Sequence, residues 1–300
     1  MSLRLPLINL YLRLFERPGL ARTVGAQAGR DRLERSARLF FGNTPGTLNE
    51  PFRFSDTVTG QVVRPKQTSP DTAILYVHGG GFTFGSSETH RRLGAAIAAK
   101  TNLEVFLPDY RLAPEHPYPA GLDDCFEAFE ALVARGYRRV ILIGDSAGGG
   151  LVFSTLVRAL SDGLDLPAAV IGLSPWVDLT LAGESMVSND RSEVTLPTER
   201  MQYVAATYRG TTAADDPEIS PVFADFTGAP PCLIHVSDSE ILRDDAYRLE
   251  EALRRDGAQV TLRTWVKTPH VWHIHHGMLP EARDAIDDIA VFVGSVLSDP

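Results

Sequence analysis

The sequence predicts an α/β fold: a mostly parallel central sheet with helices on both faces and a helical cap. Three observations carry this. From residue 72 onward, short apolar runs alternate with helical patterns, the mark of βαβ units and hence of a parallel sheet covered on both sides. The apolar run Val140–Ile143 leads directly into Gly144-Asp145-Ser146-Ala147-Gly148-Gly149, and Leu151, Val152 and Leu156 then begin a helical spacing. A second apolar run, Ile74–Val77, ends in His78-Gly79-Gly80-Gly81, which closes 65 residues before Ser146.

Each element follows from local pattern. Strands are expected at Ala73–Val77, Leu103–Leu107, Val140–Ile143, Ala169–Leu173, Cys232–Val236 and Val260–Val266. Helices are expected near 90–100, 120–135, 147–161 and 243–256. The last of these aligns Ala246, Leu249 and Leu253 on one face and stops at Gly257, a C-terminal cap signal. Ile286, Ile289, Ala290, Val293 and Leu297 give a final helix the spacing i, i+3, i+4, i+7, i+11. Phe52–Val63 reads as an antiparallel edge hairpin. Two stretches break the alternation. Residues 1–50 are helical and arginine-rich without a strand, and 178–213 hold a helical patch at Thr198–Tyr208 before a turn-rich segment. Both are expected to be cap elements over the strand C-termini, where an open α/β sheet places its site. Residues 1–300 then form a single domain.

Composition narrows the classes. The chain has 300 residues, 44% hydrophobic and 22% charged, as expected of a soluble globular enzyme. A net charge of −9 disfavours nucleic acid as a partner. Cys125 and Cys232 make no disulfide framework; Cys125 falls in a helical pattern and Cys232 opens a strand-like run, so both read as buried free thiols, which fits a reducing cytoplasm. No run approaches the ~20 apolar residues that a transmembrane helix needs, so no stable membrane insertion is expected.

Charge is unevenly placed. Residues 1–40 carry eight arginines against Glu16, Asp31 and Glu34, a net of +5 that leaves −14 for the rest. Ile8, Tyr11, Leu12 and Phe15 sit at helical spacing with Arg4, Arg13 and Arg17 around them, an amphipathic pattern. Such a helix can lie on a membrane surface. It can equally cover the active site of its own protein and show its arginines to water. A signal peptide fits less well, because Arg13 interrupts the apolar stretch.

Glycine-x-serine-x-glycine between strand and helix is a nucleophile elbow: small residues let the backbone turn so sharply that a serine hydroxyl stands free at the sheet's edge. Ser146 is the candidate nucleophile. An alkyl hydroxyl needs a neighbouring base, and His235, His270, His273, His275 and His276 follow it in the chain. His235 lies inside an apolar run and reads as a core residue. His270 comes a short loop after the strand Val260–Val266, so it belongs at a strand C-terminus near Ser146. His273, His275 and His276 resemble a metal cluster, but no carboxylate or thiolate motif accompanies them. No metal and no cofactor are expected. For the acid, Asp238 and Glu240 both occupy loop positions after Cys232–Val236, and composition alone does not choose between them. Asp244 and Asp245 belong at the next helix N-terminus, where the dipole favours carboxylates.

These blocks resemble a known family. His78-Gly79-Gly80-Gly81-Phe82 is similar to an oxyanion motif. Asp109-Tyr110-Arg111-Leu112-Ala113-Pro114-Glu115-His116-Pro117-Tyr118-Pro119-Ala120 resembles a structural signature found in few other hydrolases, and Gly144–Gly149 is the elbow. The chain, over about residues 70–295, looks like the hormone-sensitive-lipase-like group of α/β-hydrolases, the bacterial family IV carboxylesterases. In that group's acid motif an aspartate is followed two residues later by leucine and four later by aspartate. Anchored on Leu242 and Asp244, that position is Glu240, and His270 lies 30 residues beyond it. Glutamate in place of aspartate keeps Asp238, 32 residues before His270, as the alternative.

The resemblance implies two-step acyl transfer. Ser146 attacks an ester carbonyl, His270 takes its proton, Glu240 holds the imidazole, and the N–H groups of Gly80, Gly81 and Ala147 converge on the oxyanion. His78 is read as a loop brace, and Asp109, Arg111 and Glu115 as one buried polar network. Phe82, Trp176 and Val271 are candidates for the pocket wall. Expected substrates are small short- to medium-chain esters. Ser174-Pro175-Trp176-Val177-Asp178-Leu179-Thr180 and the basic N-terminus resemble acetyl-ester and monoterpene-lactone hydrolases of the group, which makes a lactone the second candidate substrate. Some relatives are non-catalytic small-molecule receptors, but retention of both Ser146 and His270 argues against that class. Amide hydrolysis would use the same residues. A homodimer is possible, since pairing through an exposed sheet edge is common in the group.

Overall fold

A computed structural model describes residues 2–23, 25–40 and 46–298, with backbone only for 36–40. Eight strands form one sheet: β1 Thr47–Arg53, β2 Thr59–Pro65, β3 Thr72–Val77, β4 Glu104–Pro108, β5 Arg139–Asp145, β6 Ala169–Leu173, β7 Cys232–Ser237 and β8 Val260–Trp265. Their spatial order is β1-β2-β4-β3-β5-β6-β7-β8. From β4 to β8 all neighbours are parallel, while β2 runs antiparallel to β4 and β1 antiparallel to β2. The six strands expected after residue 72 are all present, and the edge hairpin is the β1–β2 pair.

The helices are α1 Arg4–Tyr11, α2 Arg17–Arg22, α3 Ala26–Phe40, α4 Ser87–Thr101, α5 Ala120–Ala134, α6 Ala147–Asp162, α7 Ser185–Ser188, α8 Thr198–Arg209, α9 Arg243–Arg255 and α10 Pro280–Ser298. Period-two alternation in the strands splits the core into two layers. Ala73, Leu75 and Val77 of β3 face one way, with Leu122 and Phe129 of α5, Leu151 and Leu156 of α6 and Leu249 of α9. Ile74 and Tyr76 face the other way, with Leu93 and Ile97 of α4 and Ile286, Ile289 and Val293 of α10. The chain leaves β3 toward β4 on one side and returns to β5 on the other. The crevice between the ends of β3 and β5 is therefore a topological switch point, where such sheets bind ligands.

Three expectations need correction. Residues 1–50 are not free of strand: β1 begins at Thr47, inside the stretch assigned to the cap, because pairing Thr47 to Pro65 extends the hairpin. Residues 41–45 of that stretch lie outside the described residues. The N-terminal helix does not bury the stripe Ile8-Tyr11-Leu12-Phe15. Leu5 and Leu12 are buried, Ile8 packs beside Leu5 against Trp272, Leu279 and Ala282, and Tyr11 and Phe15 are exposed. This helix is apolar on nearly every side, so spacing alone could not select the packed face. Its continuation, Leu12–Glu16, widens into a π turn in which the Arg17 N–H donates to Leu12 O. Pro18 supplies the reason: with no N–H it cannot donate to Leu14 O, and its ring crowds the preceding turn.

Finally, Asp109, Arg111 and Glu115 do not form one buried network. Asp109 caps the start of α4 through the Ser87 N–H and hydroxyl, Arg111 pairs with buried Asp124 at 2.7 Å, and exposed Glu115 pairs with Arg30 at 2.6 Å. The three side chains fan out from one loop toward three different elements.

Candidate active site

Because β3, β5, β6, β7 and β8 are parallel, the loops after them leave the same edge of the sheet. All five loops carry candidate residues. Ser146, after β5, has φ 51° and ψ −123°, a strained backbone outside the helical region, and α6 starts at the next residue. Close packing enforces this turn. A Cβ at Gly144 would lie 2.2 Å from Gly148 O, and one at Gly148 would lie 2.2 Å from Val77 O. The Ser146 N–H donates to Leu173 O at 2.9 Å, and Ser146 O accepts from the Trp176 N–H at 2.9 Å, so the elbow is tied to the end of β6.

Asp145, between the elbow glycine and the serine, binds the loop after β3. Its Oδ1 accepts from the Tyr76 hydroxyl at 2.7 Å and the Gly79 N–H at 3.0 Å. Burial opposes its charge, yet His90 and these donors hold the carboxyl below its usual range. His78 stacks on Tyr110 at 4.3 Å and contacts Gly79 O through Nδ1 at 2.8 Å. Burial depresses it to about 3, so it is a neutral brace for the loop. Gly80 and Gly81 have φ of +123° and +57°, and a Cβ at Gly80 would strike Phe84 O at 2.1 Å. Among the described residues, the amides of Gly80, Gly81 and Ala147 have no hydrogen-bond acceptor.

After β7, Glu240 is buried and its carboxylate is fully engaged. Oε2 meets His270 Nδ1 at 2.5 Å, while Oε1 accepts from the Ser237 N–H at 2.7 Å and the Ser174 hydroxyl at 2.9 Å. Asp238 instead braces the loop after β8: its Oδ1 accepts from the Lys267 N–H at 2.7 Å, while the hydrogen bond of His270 Nδ1 goes to Glu240. The two carboxylates left open by the loop sequence thus differ sharply in what they touch. Burial pulls the His270 imidazole down, but the Glu240 hydrogen bond and charge, aided by Glu193 and Asp145, leave it raised overall. His270 Nε2 is buried without a hydrogen-bond partner among the described residues.

The other histidines are explained elsewhere. His235 is fully buried, contacting His273 Nε2 at 3.1 Å and Asp288 at 3.0 Å. Of the pocket candidates, Phe82 stacks on Tyr208 of α8 at 3.8 Å and lies 5.6 Å from Trp176, an aromatic wall beside the elbow. Val271 is held by its N–H donating to Ser174 Oγ at 3.3 Å.

Three contributors were not legible as site residues. Ser174 links the loops after β6, β7 and β8. Asn189 donates to both Asp238 O and Glu240 O, at 3.0 and 2.9 Å. Glu193, almost fully buried, accepts from the Ile241 N–H through Oε2 and from Thr195 and Leu196 through Oε1. Its carboxyl is raised, mainly by burial. Only the polar run Ser188–Glu193, flanked by Val187 and Val194, hints at the roles of Asn189 and Glu193 in the sequence. Arg17 then ties this segment to the N-terminal helices, donating to Asp190 O and Glu193 O. Arg30 of α3 likewise donates to Thr83 O at 2.9 Å and Ala113 O at 3.0 Å.

Known proteins share this arrangement. A family described as alpha/beta hydrolase fold matches residues 74–274. An acetyl-hydrolase of Streptomyces hygroscopicus is 39% identical over 78% of this chain and 79% of its own length. An esterase of Acinetobacter venetianus is 34% identical over 88% of this chain and 87% of its own. The crystal structure of an esterase from the bacterial hormone-sensitive lipase family superposes with a TM-score of 0.92, at 34% identity and 99% coverage of both chains. With such identity and coverage, the chain belongs to the α/β-hydrolase family and is a carboxylesterase of its hormone-sensitive-lipase branch.

Proposed function

We propose that Ser146, His270 and Glu240 form the catalytic triad of a cofactor-independent esterase acting on small, uncharged esters with short or medium acyl chains. The observation that supports this most is the 2.5 Å contact between His270 Nδ1 and Glu240 Oε2. It fixes the tautomer and leaves Nε2, the buried nitrogen without a partner, to take the proton of Ser146 as its hydroxyl attacks the ester carbonyl. The amides of Gly80, Gly81 and Ala147 then receive the oxyanion; one such donor is typically worth ~10²–10³ in rate. The imidazolium, steadied by Glu240, gives its proton to the leaving alkoxide. Water, deprotonated by the same nitrogen, releases the acid from Ser146 in the second half.

Substrate size is inferred from the surroundings. Phe82, Trp176 and Tyr208 supply an apolar wall without charged groups, and Val271 lies next to the base. Two segments act as a cap in this reading, the N-terminal helices and residues 178–213: Arg30 fastens the first to the loop after β3, Asn189 and Glu193 fasten the second to the loop after β7, and Arg17 joins the two. The name acetyl-hydrolase carried by the Streptomyces relative agrees with a short acyl group. Two buried free thiols fit a cytoplasmic enzyme. Strand β8 has β7 as its one strand partner, leaving an edge through which a homodimer can form.

The deciding experiment compares wild type with Ser146→Ala on p-nitrophenyl esters of increasing chain length and on a small lactone panel. Turnover is expected to peak at short or medium chains and to be abolished in the variant. Equal rates in both proteins, or a preference for long chains or lactones over simple esters, would overturn the proposal.

A further inference from the structure

The first helical stretch spends little of its apolar surface on packing. Leu5 and Leu12 are buried, whereas Leu3, Leu7, Leu10 and Leu14 are 92%, 68%, 54% and 57% exposed. These four recur at i, i+4, i+7 and i+11, a continuous stripe along the outer face. Tyr11 and Phe15, their rings 5.4 Å apart, widen it, and both are exposed. Scattered apolar side chains are normal on a soluble surface, but a contiguous patch of six large ones marks an interaction site.

Charge identifies the occupant. Arg4, Arg13 and Arg22 are exposed on the same segment, and residues 1–40 carry +5 against −14 for the remainder. Among the described residues, Arg4 and Arg13 each donate to one backbone carbonyl, of Met278 and Ser192, and both side chains remain exposed. A second copy of the chain would have to bring two +5 segments together. The stripe is also convex, so it does not offer a groove for a peptide. A fluid apolar layer with anionic headgroups satisfies both the leucines and the arginines.

We propose that the outer face of residues 3–15 docks this enzyme peripherally on an anionic lipid surface. The helix also touches the loops at the active edge of the sheet, through Asn9 to Lys267 O at 2.8 Å and Arg17 to Glu193 O at 3.0 Å. Docking therefore turns that edge toward the bilayer, where small apolar esters partition. The binding itself does not depend on the assignment of Ser146 and His270.

The test is flotation of the full chain with vesicles of phosphatidylcholine alone or of phosphatidylcholine mixed with phosphatidylglycerol. Wild type is expected to bind the anionic vesicles at least about tenfold more tightly than the neutral ones, and to be released by high salt. Leu7→Gln/Leu10→Gln should lower anionic-vesicle binding about tenfold, with circular dichroism and melting unchanged because both sites are exposed. Arg13→Gln, within the docking segment, should lower it roughly fivefold. Absence of flotation, equal binding to both vesicle types, or undiminished binding of the leucine variant would overturn the proposal. So would a native mass that halves in that variant, which would make a second copy the occupant.

Discussion

The Ser174 hydroxyl donates to Glu240 Oε1 at 2.9 Å, so the carboxylate that faces His270 through one oxygen is held at the other by the end of β6. Ser174 Oγ also accepts from the Val271 N–H at 3.3 Å. One side chain therefore joins the loops after β6, β7 and β8, the last two of which carry the proposed acid and base. Ser174→Ala should lower kcat roughly ten- to a hundredfold with little change in KM, since a hydrogen bond to a charged group is lost without touching substrate. Steady-state kinetics on p-nitrophenyl acetate measure this. Activity within twofold of wild type would mean that the Ser237 N–H and His270 alone suffice to hold Glu240.

The two acidic candidates separate by the same measurement. Glu240→Ala should cost about 10³- to 10⁴-fold in kcat, the usual effect of leaving a catalytic imidazole without its orienting carboxylate. Asp238→Ala removes only the tie to the Lys267 N–H and should retain most of the rate. Glu240→Asp should fall between, because the shorter side chain cannot reach His270 and Ser174 together. A larger loss at Asp238 than at Glu240 would reverse the assignment.

How much of this could be read in the sequence depends on the range of the contacts. Strands β3 to β7 were legible because a short, largely apolar run records burial on both faces, whereas β8, VTLRTW, is half-exposed and was legible as a β-branched run ended by Lys267-Thr268-Pro269. Ser146 was legible because its turn demands small residues at fixed offsets. Glu240 was reached only through its spacing to Leu242, Asp244 and His270. Ser174, Asn189 and Glu193 act across 48 to 66 residues of chain onto Glu240 or its neighbour Ile241, and no local pattern encodes such pairings. The N-terminal helix failed for the opposite reason: with leucines on every side, its periodicity carried no direction.

Asp245 offers a stability test. It was expected at a helix N-terminus, and it stands in the first turn of α9, but its carboxylate is fully buried. Oδ2 accepts from the Val177 and Asp178 N–H groups, both at 3.0 Å, and Oδ1 has no partner among the described residues. Burial, then the charge of Asp178, pushes its carboxyl well above the usual range. The native state therefore holds a proton that the unfolded chain releases above about pH 4. The stability from this group is complete below that pH and is lost as pH rises toward the native value. Asp245→Asn keeps an acceptor for both amides and removes the titration. Relative to wild type, its melting temperature should rise progressively as pH increases above about 4, the range in which the unfolded aspartate is charged. A melting difference that stays constant with pH would refute the protonated assignment.

Glu193 tests the electrostatics of the base. His270 is raised because the Glu240 hydrogen bond and charge outweigh the burial that pulls it down, and Glu193 adds to the same side. The imidazole must be neutral to accept the serine proton, so the acid limb of kcat/KM follows its free-enzyme pKa. Removing one negative neighbour makes the imidazolium less favoured. Glu193→Gln should therefore move the acid limb to lower pH, by a few tenths of a unit to about one unit. The amide nitrogen of glutamine cannot accept from both sides of the site, so the Ile241 N–H or the Thr195 and Leu196 pair loses its acceptor. That should cost about 1–3 kcal/mol of stability. The two readouts are separable. A destabilised variant whose acid limb stays in place would mean that Glu193, raised by its own burial, is protonated throughout the limb and acts only as a clamp between residues 189–196 and the Glu240 loop.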